Sequence, residues 1–209
     1  MKKHFTFAVL TAIASLFCMT SCHIDGTSYA ADKADGYEEA IRLILKNVDT
    51  NDSKVYYMEY AGSEENGNKL ETVTIKVVTK ANMAYSQKIL LTGNQQALEI
   101  EEIAQTFEAP VYADVKGIDF KTFTAQKIEN EINEAKKQIP EGSTFKSISG
   151  YKFSEVVPAG NSNFNDEDEI GKQSTTFNMS FTMKHPNGAE GFAAVRCIVE
   201  DNGKVKLDM

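Results

Sequence analysis

Residues 173–184 read Gln-Ser-Thr-Thr-Phe-Asn-Met-Ser-Phe-Thr-Met-Lys, and this stretch decides the fold. Large side chains recur at every second position, and small polar side chains stand between them. A period of two indicates a β-strand with one buried and one solvated face, which is typical of an antiparallel sheet. The polar strip can bind a partner or a glycan, but it is also the usual composition of a solvated sheet face. It comprises Ser174, Thr176, Asn178, Ser180 and Thr182.

The apolar side of the same strand carries four large side chains. We interpret them as core residues beneath a helix rather than as the lining of a ligand pocket, because such a stripe packs in the core in most proteins. They are Phe177, Met179, Phe181 and Met183.

The sequence around this strand predicts a helix followed by a four-strand meander over residues 116–209. Apolar residues at helical spacing predict a long helix over 120–139 that Pro140 ends. Strands are predicted at 145–157, 173–184, 192–200 and 204–209. Turns between them are marked by His185-Pro186-Asn187-Gly188 and Asp201-Asn202-Gly203.

The first half, residues 36–115, repeats this order with different residues. A helix is predicted over 36–48 with a capping box from Asp35 and Glu38, followed by strands at 55–61, 70–80 and 85–92. Residues 95–107 place four apolar residues on one helical face, which favours a second helix there. They are Ile100, Ile103, Ala104 and Phe107.

The fold class predicted from these patterns is α+β, with two units that each combine a helix and an antiparallel meander. The pattern resembles that of cystatin-like modules, in which one helix packs across a curved antiparallel sheet. Whether the two units form one domain or two is left open by the sequence. A resemblance of fold alone implies nothing about function.

The N-terminus carries an export signal. Lys2 and Lys3 precede thirteen uncharged residues, 5–17, a run too short for a permanent membrane helix, which takes roughly 20. Met19-Thr20-Ser21-Cys22 then resembles a lipobox, the cleavage and lipidation motif of bacterial lipoproteins. The resemblance implies a signal peptide over 1–21, a lipid on Cys22 and a tether over 22–35.

The sequence contains two other candidate sites for cleavage of the signal peptide. Cys18 follows the bulky Phe17 and matches the lipobox poorly, whereas Ser28-Tyr29-Ala30 is a small-x-small site for ordinary signal peptidase. Under the lipoprotein resemblance, His23 after the cysteine implies the outer membrane. The single Asp25 favours a periplasmic orientation over the surface display seen in the Bacteroides group, which often carries acidic pairs there.

The charge of the chain argues against nucleic-acid binding. The formal net charge is −8, and it becomes −10 when Lys2 and Lys3 leave with the signal peptide. Nucleic-acid binding needs clustered cations that replace counterions, and only Arg42 and Arg196 are arginines. The lipid on Cys22 would therefore be the contact with the membrane.

No catalytic or cofactor motif is recognised in the sequence. His185 stands in a turn without a partner nucleophile, and we expect it to be solvated. Cys197 shares strand parity with Val195 and Val199, which predicts an inert core thiol. A zinc site of the usual type is not expected from so few cysteines and histidines.

The loop at 161–169 is the one weak metal candidate, for calcium. Asp166 occupies the position where an EF-hand needs glycine, and Lys172 occupies that of the bidentate glutamate. We therefore interpret the loop as a solvated connection. The calcium candidates are Asn161, Asn163, Asn165, Asp166 and Asp168.

These observations favour a monomeric, non-enzymatic lipoprotein of the cell envelope that binds a protein or another envelope ligand. One alternative is an inhibitor or immunity-type lipoprotein whose acidic surface meets a basic periplasmic enzyme or toxin. Another is a hydrolase built on two carboxylates, which would need a facing pair of acids in a cleft.

We predict that Cys22→Ala releases the protein from the membrane fraction or leaves it unprocessed, because the acceptor of the lipid is gone. Labelling with a palmitate analogue measures this directly and should disappear. Cys18→Ala is the matched control and should label normally. Unchanged labelling of the Cys22 variant would contradict the assignment.

Overall fold

The structure is a computed structural model, and it describes residues 28–62, 67–103, 110–158, 169–184 and 188–208. Eleven strands and two α-helices occur within these ranges. They are β1 (Tyr29–Ala30), α1 (Ala34–Asn47), β2 (Ser53–Ala61), β3 (Lys69–Leu70), β4 (Thr72–Thr79), β5 (Ala84–Leu90), β6 (Gln96–Ala97), β7 (Glu101–Ile103), α2 (Ala125–Lys136), β8 (Thr144–Glu155), β9 (Gln173–Lys184), β10 (Glu190–Val199) and β11 (Val205–Asp208).

One antiparallel sheet joins both halves of the chain. Its strand order is β11-β10-β9-β8-β2-β4-β5-β6, and β7 also pairs with β5. The meander predicted for the second half is present as β8 to β11, and β9 covers the predicted 173–184. The α+β prediction is confirmed. The two predicted units are continuous, since β2 of the first pairs with β8 of the second.

Both helices pack on one face of this sheet, which we call the helix face. α1 and α2 contact each other, and their apolar sides form one core with the sheet. Phe177 and Met179 lie in this core and Phe181 is also buried, as the core interpretation of the β9 stripe predicts, whereas Met183 is only half-buried. Within the described ranges, no helix has the length and apolar character needed to cross a bilayer.

The helix α1 does not begin with the predicted capping box. Its N-cap residue is Lys33, whose side chain makes no capping bond, and Asp35 already lies in the first turn. The backbone N–H of Ala34 instead donates to Glu129 Oε2 of α2 (3.1 Å). A carboxylate from the neighbouring helix thus satisfies one free donor at the start of α1, a long-range contact that local sequence does not reveal.

The helix predicted over 120–139 is shorter in the structure. α2 begins after Thr124, whose hydroxyl accepts a hydrogen bond from the backbone N–H of Lys127 (3.2 Å). Phe120 and Phe123 precede the helix and contact the core from the turn before it. Both residues face the core, which explains their spacing, but neither belongs to the helix.

The prediction of a helix over 95–107 is wrong for the part of this range that the structure describes. Gln96–Ala97 and Glu101–Ile103 are short strands that pair with β5. Ile100, assigned to the buried side of that helix, is 57% exposed. Pairing with the free backbone groups of β5 outweighs the local helical periodicity. Residues 104–109 lie outside the described part of the chain.

The predicted tether, 22–35, is folded where the structure describes it. Tyr29–Ala30 pairs with Lys69–Leu70, and Ala31 is buried. Gly36 is required at the start of α1 because a Cβ there would lie 2.6 Å from Cβ of Tyr29. The compact fold therefore includes residues 28–35, and the remaining tether residues, 22–27, lie outside the description.

Residues 115–118 cross from one side of the sheet to the other where β2 and β8 diverge. Val115 packs with Tyr56 in a cluster separate from the main core, whereas Ile118 contacts the main core. The backbone N–H of Ile118 donates to the carbonyl of Val55 (2.8 Å). The carboxylate of Glu155 accepts from the backbone N–H groups of Lys116 (2.7 Å) and Gly117 (2.8 Å).

We predict that Glu155→Ala lowers the free energy of unfolding by about 2 kcal/mol, because two partly buried N–H groups lose a charged acceptor. Glu155→Gln keeps one acceptor oxygen and should lose less. Urea unfolding at neutral pH measures both. Glu169→Ala, which removes an exposed ion pair with Lys172, is the control with little expected effect. Equal stability of Glu155→Ala and the parent would contradict this role.

Candidate functional site

Several residues singled out by the sequence lie outside the described part of the chain. They are Cys22, His185 and the calcium candidates Asn161, Asn163, Asn165, Asp166 and Asp168. Among the residues that are described, no group of three or more His, Cys, Asp or Glu side chains is placed to hold a metal ion.

Cys197 lies in the main core, as strand parity predicts. Its side chain is buried opposite Phe177 of β9. Burial raises the pKa of the thiol to about 12, so it stays protonated at neutral pH. A buried, protonated thiol is a poor nucleophile, and we assign Cys197 to packing.

A tyrosine cluster with one carboxylate fills the centre of the helix face. The rings of Tyr37 and Tyr60 meet edge to face at 4.8 Å, and Tyr151 stacks on Phe177 at 5.6 Å. The hydroxyl of Tyr37 donates to the carbonyl of Ala31 (2.6 Å). These contacts lock strands β2, β8 and β9 against α1.

Glu131 of α2 is the carboxylate of this cluster. It accepts a hydrogen bond from the hydroxyl of Tyr151, and the ammonium of Lys127 lies 3.9 Å away. Burial is the largest influence on the group, and it raises the pKa of Glu131 above its ordinary value. Burial likewise raises the pKa of Tyr151, which remains a neutral donor.

The two buried carboxylates of the described residues, Glu131 and Glu155, do not form the facing pair of acids that a two-carboxylate hydrolase needs. Glu131 is held by Tyr151 and Lys127, and Glu155 is held by the backbone of Lys116 and Gly117. Each carboxylate already interacts with donor groups of the fold, so we assign a structural role to both.

The opposite side of the sheet, which we call the open face, carries the polar strip of β9. On this strand Ser174 and Asn178 are exposed, and Thr176 is half-buried. Ser180 is buried, and its hydroxyl bonds to that of Ser147 on β8 (2.6 Å). The strip is therefore accessible from Ser174 to Asn178 and again at the half-buried Thr182.

Strand register places side chains from six further strands beside this strip, and all but Ile198 of β10 are polar. One row crosses seven neighbouring strands, with each member directly opposite the next. From β11 to β5 it comprises Lys206, Ile198, Thr176, Lys152, Glu59, Thr74 and Lys88. The β9 strip predicted from the sequence is thus one column of a wider polar surface.

The middle of the open face has its own contacts. The hydroxyl of Tyr57 donates to Glu59, so the carboxylate is already engaged. The ammonium of Lys76 lies 5.2 Å above the centre of the Tyr57 ring, a cation–π contact. Lys152 stands opposite both Glu59 and Thr176.

Strand register places seven cations of the described residues on the open face. They are Lys54, Lys76, Lys88, Lys152, Lys184, Arg196 and Lys206. Seven ion pairs form within the described ranges, and all of them involve other cations. The positive charges of this face are therefore not neutralised by ion pairs with described side chains, although the chain as a whole is acidic.

Two segments bound the open face. The 3-10 turn Tyr112–Asp114 precedes Val115, which packs against Tyr56 and Val78 at one end. Residues 98–101 border a cavity of about 340 Å³ beside β5, which Lys88 shares with Glu99 and Glu101. The central and β9–β11 parts of the face are the parts where cations outnumber carboxylates.

A second concavity lies on the other side of the molecule, between α1 and the turn before α2. Its volume is about 330 Å³, and Ile41, Phe120 and Phe123 give it an apolar lining. Glu38 is also part of its lining. Nothing in its surroundings indicates what would fill it.

Comparison with known proteins yields no relative. No protein-family model, no curated protein and no solved structure matches the chain.

We predict that Glu131→Gln stabilises the protein at pH 7. A raised pKa in the folded state means that Glu131 favours folding below its ordinary pKa of 4.5 and loses that contribution as the pH rises through its folded value. The amide removes the buried charge and retains an acceptor for Tyr151. Urea unfolding should show a gain at pH 7 that disappears at pH 4.

Glu134→Gln is the matched control, because this carboxylate lies on the same helix but is half exposed beside Lys137. It should show no comparable gain. A loss of stability for Glu131→Gln at pH 7 would contradict the assignment of a desolvated charge.

Proposed function

We propose that this chain is a non-enzymatic lipoprotein of the cell envelope, anchored by lipid on Cys22, which binds an envelope ligand on the open face of its sheet. We infer the binding function from one feature of the structure, the open face. It is broad and polar, and its cations lack ion pairs with described side chains, while the helix face is filled by the core.

The proposed anchor keeps the folded part close to a membrane. Cys22 lies six residues before Ser28, where the described structure begins. Even a fully extended segment of that length spans only about 20 Å. We place the protein at the outer membrane facing the periplasm, with surface display as the alternative orientation, and as a monomer.

The charge of the open face bears on the inhibitor alternative. That alternative relies on an acidic surface that attracts a basic enzyme or toxin. The open face instead presents seven cations, among them Lys152, Arg196 and Lys206. A basic partner would have to bind elsewhere, so the open face favours a ligand that is itself anionic.

Cysteine footprinting in cells tests whether the open face is occupied. With Cys22 lipidated and Cys197 buried, a thiol introduced by Asn178→Cys is the accessible one. We predict that it reacts with maleimide several-fold more slowly in the intact envelope than in the purified protein, because a bound ligand shields it.

Lys46→Cys, on the exposed side of α1, is the matched control and should react equally in both settings. It corrects for the slower access of reagent to the envelope. If the ratio of the two rates is the same in cells and in solution, the open face is free in the envelope and the binding proposal fails.

A further inference from the structure

We propose that the ligand of the open face is an acidic polysaccharide, a chain of sugars that carry carboxylate or sulfate groups. This inference rests on the proposed function, and it adds the chemical class of the ligand. Three features carry it: the unneutralised cations, their spacing across the sheet, and the uncharged polar groups between them.

The first feature is a segregation of charge. The chain carries a net charge of −8, yet seven cations gather on one sheet face and make no ion pair with described side chains. The carboxylates of the same strands on this face are fewer. Glu59 accepts a hydrogen bond from Tyr57, Asp208 stands opposite Arg196, and Glu190 stands opposite Lys184. Such a face attracts a polyanion and repels other copies of the same face.

The second feature is the spacing of three lysines. Lys206, Lys152 and Lys88 share one row, and successive lysines are three inter-strand spacings apart. At about 4.8 Å between strands, neighbouring lysines of the row are ~14 Å apart, and the row spans ~29 Å. Glu59 stands between Lys152 and Lys88, and Lys88 shares a cavity with Glu99 and Glu101, so the Lys152–Lys206 part is the more cationic. An extended polymer with charges at intervals can contact all three lysines, whereas a small ion would reach only one of them.

The third feature distinguishes a sugar chain from an acidic polypeptide. Apart from Ile198 and Arg196 on β10, the accessible positions between Lys152 and Lys206 carry hydroxyl and amide groups, which bond to sugar hydroxyls and ring oxygens. They are Ser154, Ser174, Thr176 and Asn178. A protein partner normally needs a buried apolar anchor at the centre of its interface. Phe192, the large exposed apolar residue of β10, lies opposite Thr182, away from this row, and the exposed Leu98 lies at the far end beside Lys88.

Direct binding by the purified, full mature protein in detergent tests the proposal. The probes are chondroitin, chondroitin sulfate, the neutral polysaccharide dextran and poly-L-glutamate. We expect both chondroitins to bind with an affinity that falls as salt rises, and dextran to fail. Absence of binding to either chondroitin at low salt would overturn the proposal, as would equal or tighter binding of poly-L-glutamate.

A charge-matched pair of variants locates the site. Lys88→Gln/Lys152→Gln/Lys206→Gln neutralises the row, and we expect roughly tenfold weaker binding of chondroitin sulfate. The control Lys46→Gln/Lys69→Gln/Lys121→Gln removes the same charge from exposed positions outside the row and should bind nearly as the parent does. Thermal unfolding verifies that both variants fold. Equal weakening of the two variants would show non-specific attraction and overturn the site.

The footprinting and binding experiments together distinguish failure of the polysaccharide assignment from failure of the proposed binding function. If Asn178→Cys is shielded in the envelope but neither chondroitin binds the purified protein, the open face has a ligand of another class. If Asn178→Cys is not shielded, the binding function itself fails.

Discussion

The pairing of β2 with β8 is the contact through which the two halves of the chain become one sheet. Its register joins Tyr57–Tyr60 to Tyr151–Ser154, four residues on each strand. On the helix face it sets Tyr60 beside Tyr151, and the edge-to-face rings bring α1 and α2 onto a common core. On the open face the same pairing sets Glu59 beside Lys152. A one-residue shift would exchange these faces, so core and candidate site depend on one register.

The end of this pairing also explains why the crossing segment passes where it does. Beyond Tyr57 the two strands separate, and their unpaired backbone groups would need other partners. Residues 115–118 supply them: Ile118 donates to Val55, and Glu155 accepts from Lys116 and Gly117. The connection from β7 to α2 is thereby held in the gap, and α2 is delivered to the same face as α1. Within the described ranges neither α-helix lies on the open face, because α1 and α2 both pack on the other side.

Short-range sequence patterns predict strand faces and turns, but they do not predict features that depend on contacts with residues far away in the sequence. The alternation in β9 correctly indicated its faces, and Asp201-Asn202-Gly203 correctly marked the turn between β10 and β11. The helix assigned to 95–107 was wrong because the edge of β5 offered pairing, and the capping box failed because Glu129 comes from another helix. For the candidate site, the β9 strip was visible in advance. Lys152 and Lys76 were not, because their place beside the strip follows from cross-strand register.

Charge placement links this fold to its proposed role. A lysine in an ion pair has part of its field neutralised by its partner, as Lys136 has beside Asp32 next to the helices. A lysine in the middle of a sheet face has neighbours fixed by register, and here those neighbours are mostly hydroxyl side chains, with Glu59 beside Lys152 and Ile198 beside Lys206. Such a lysine is held in position by its strand and still has its charge available to a ligand. The rigid sheet thus presents an array of cations at little cost in conformational entropy, which is the arrangement that recognises an extended anion better than a flexible basic tail would.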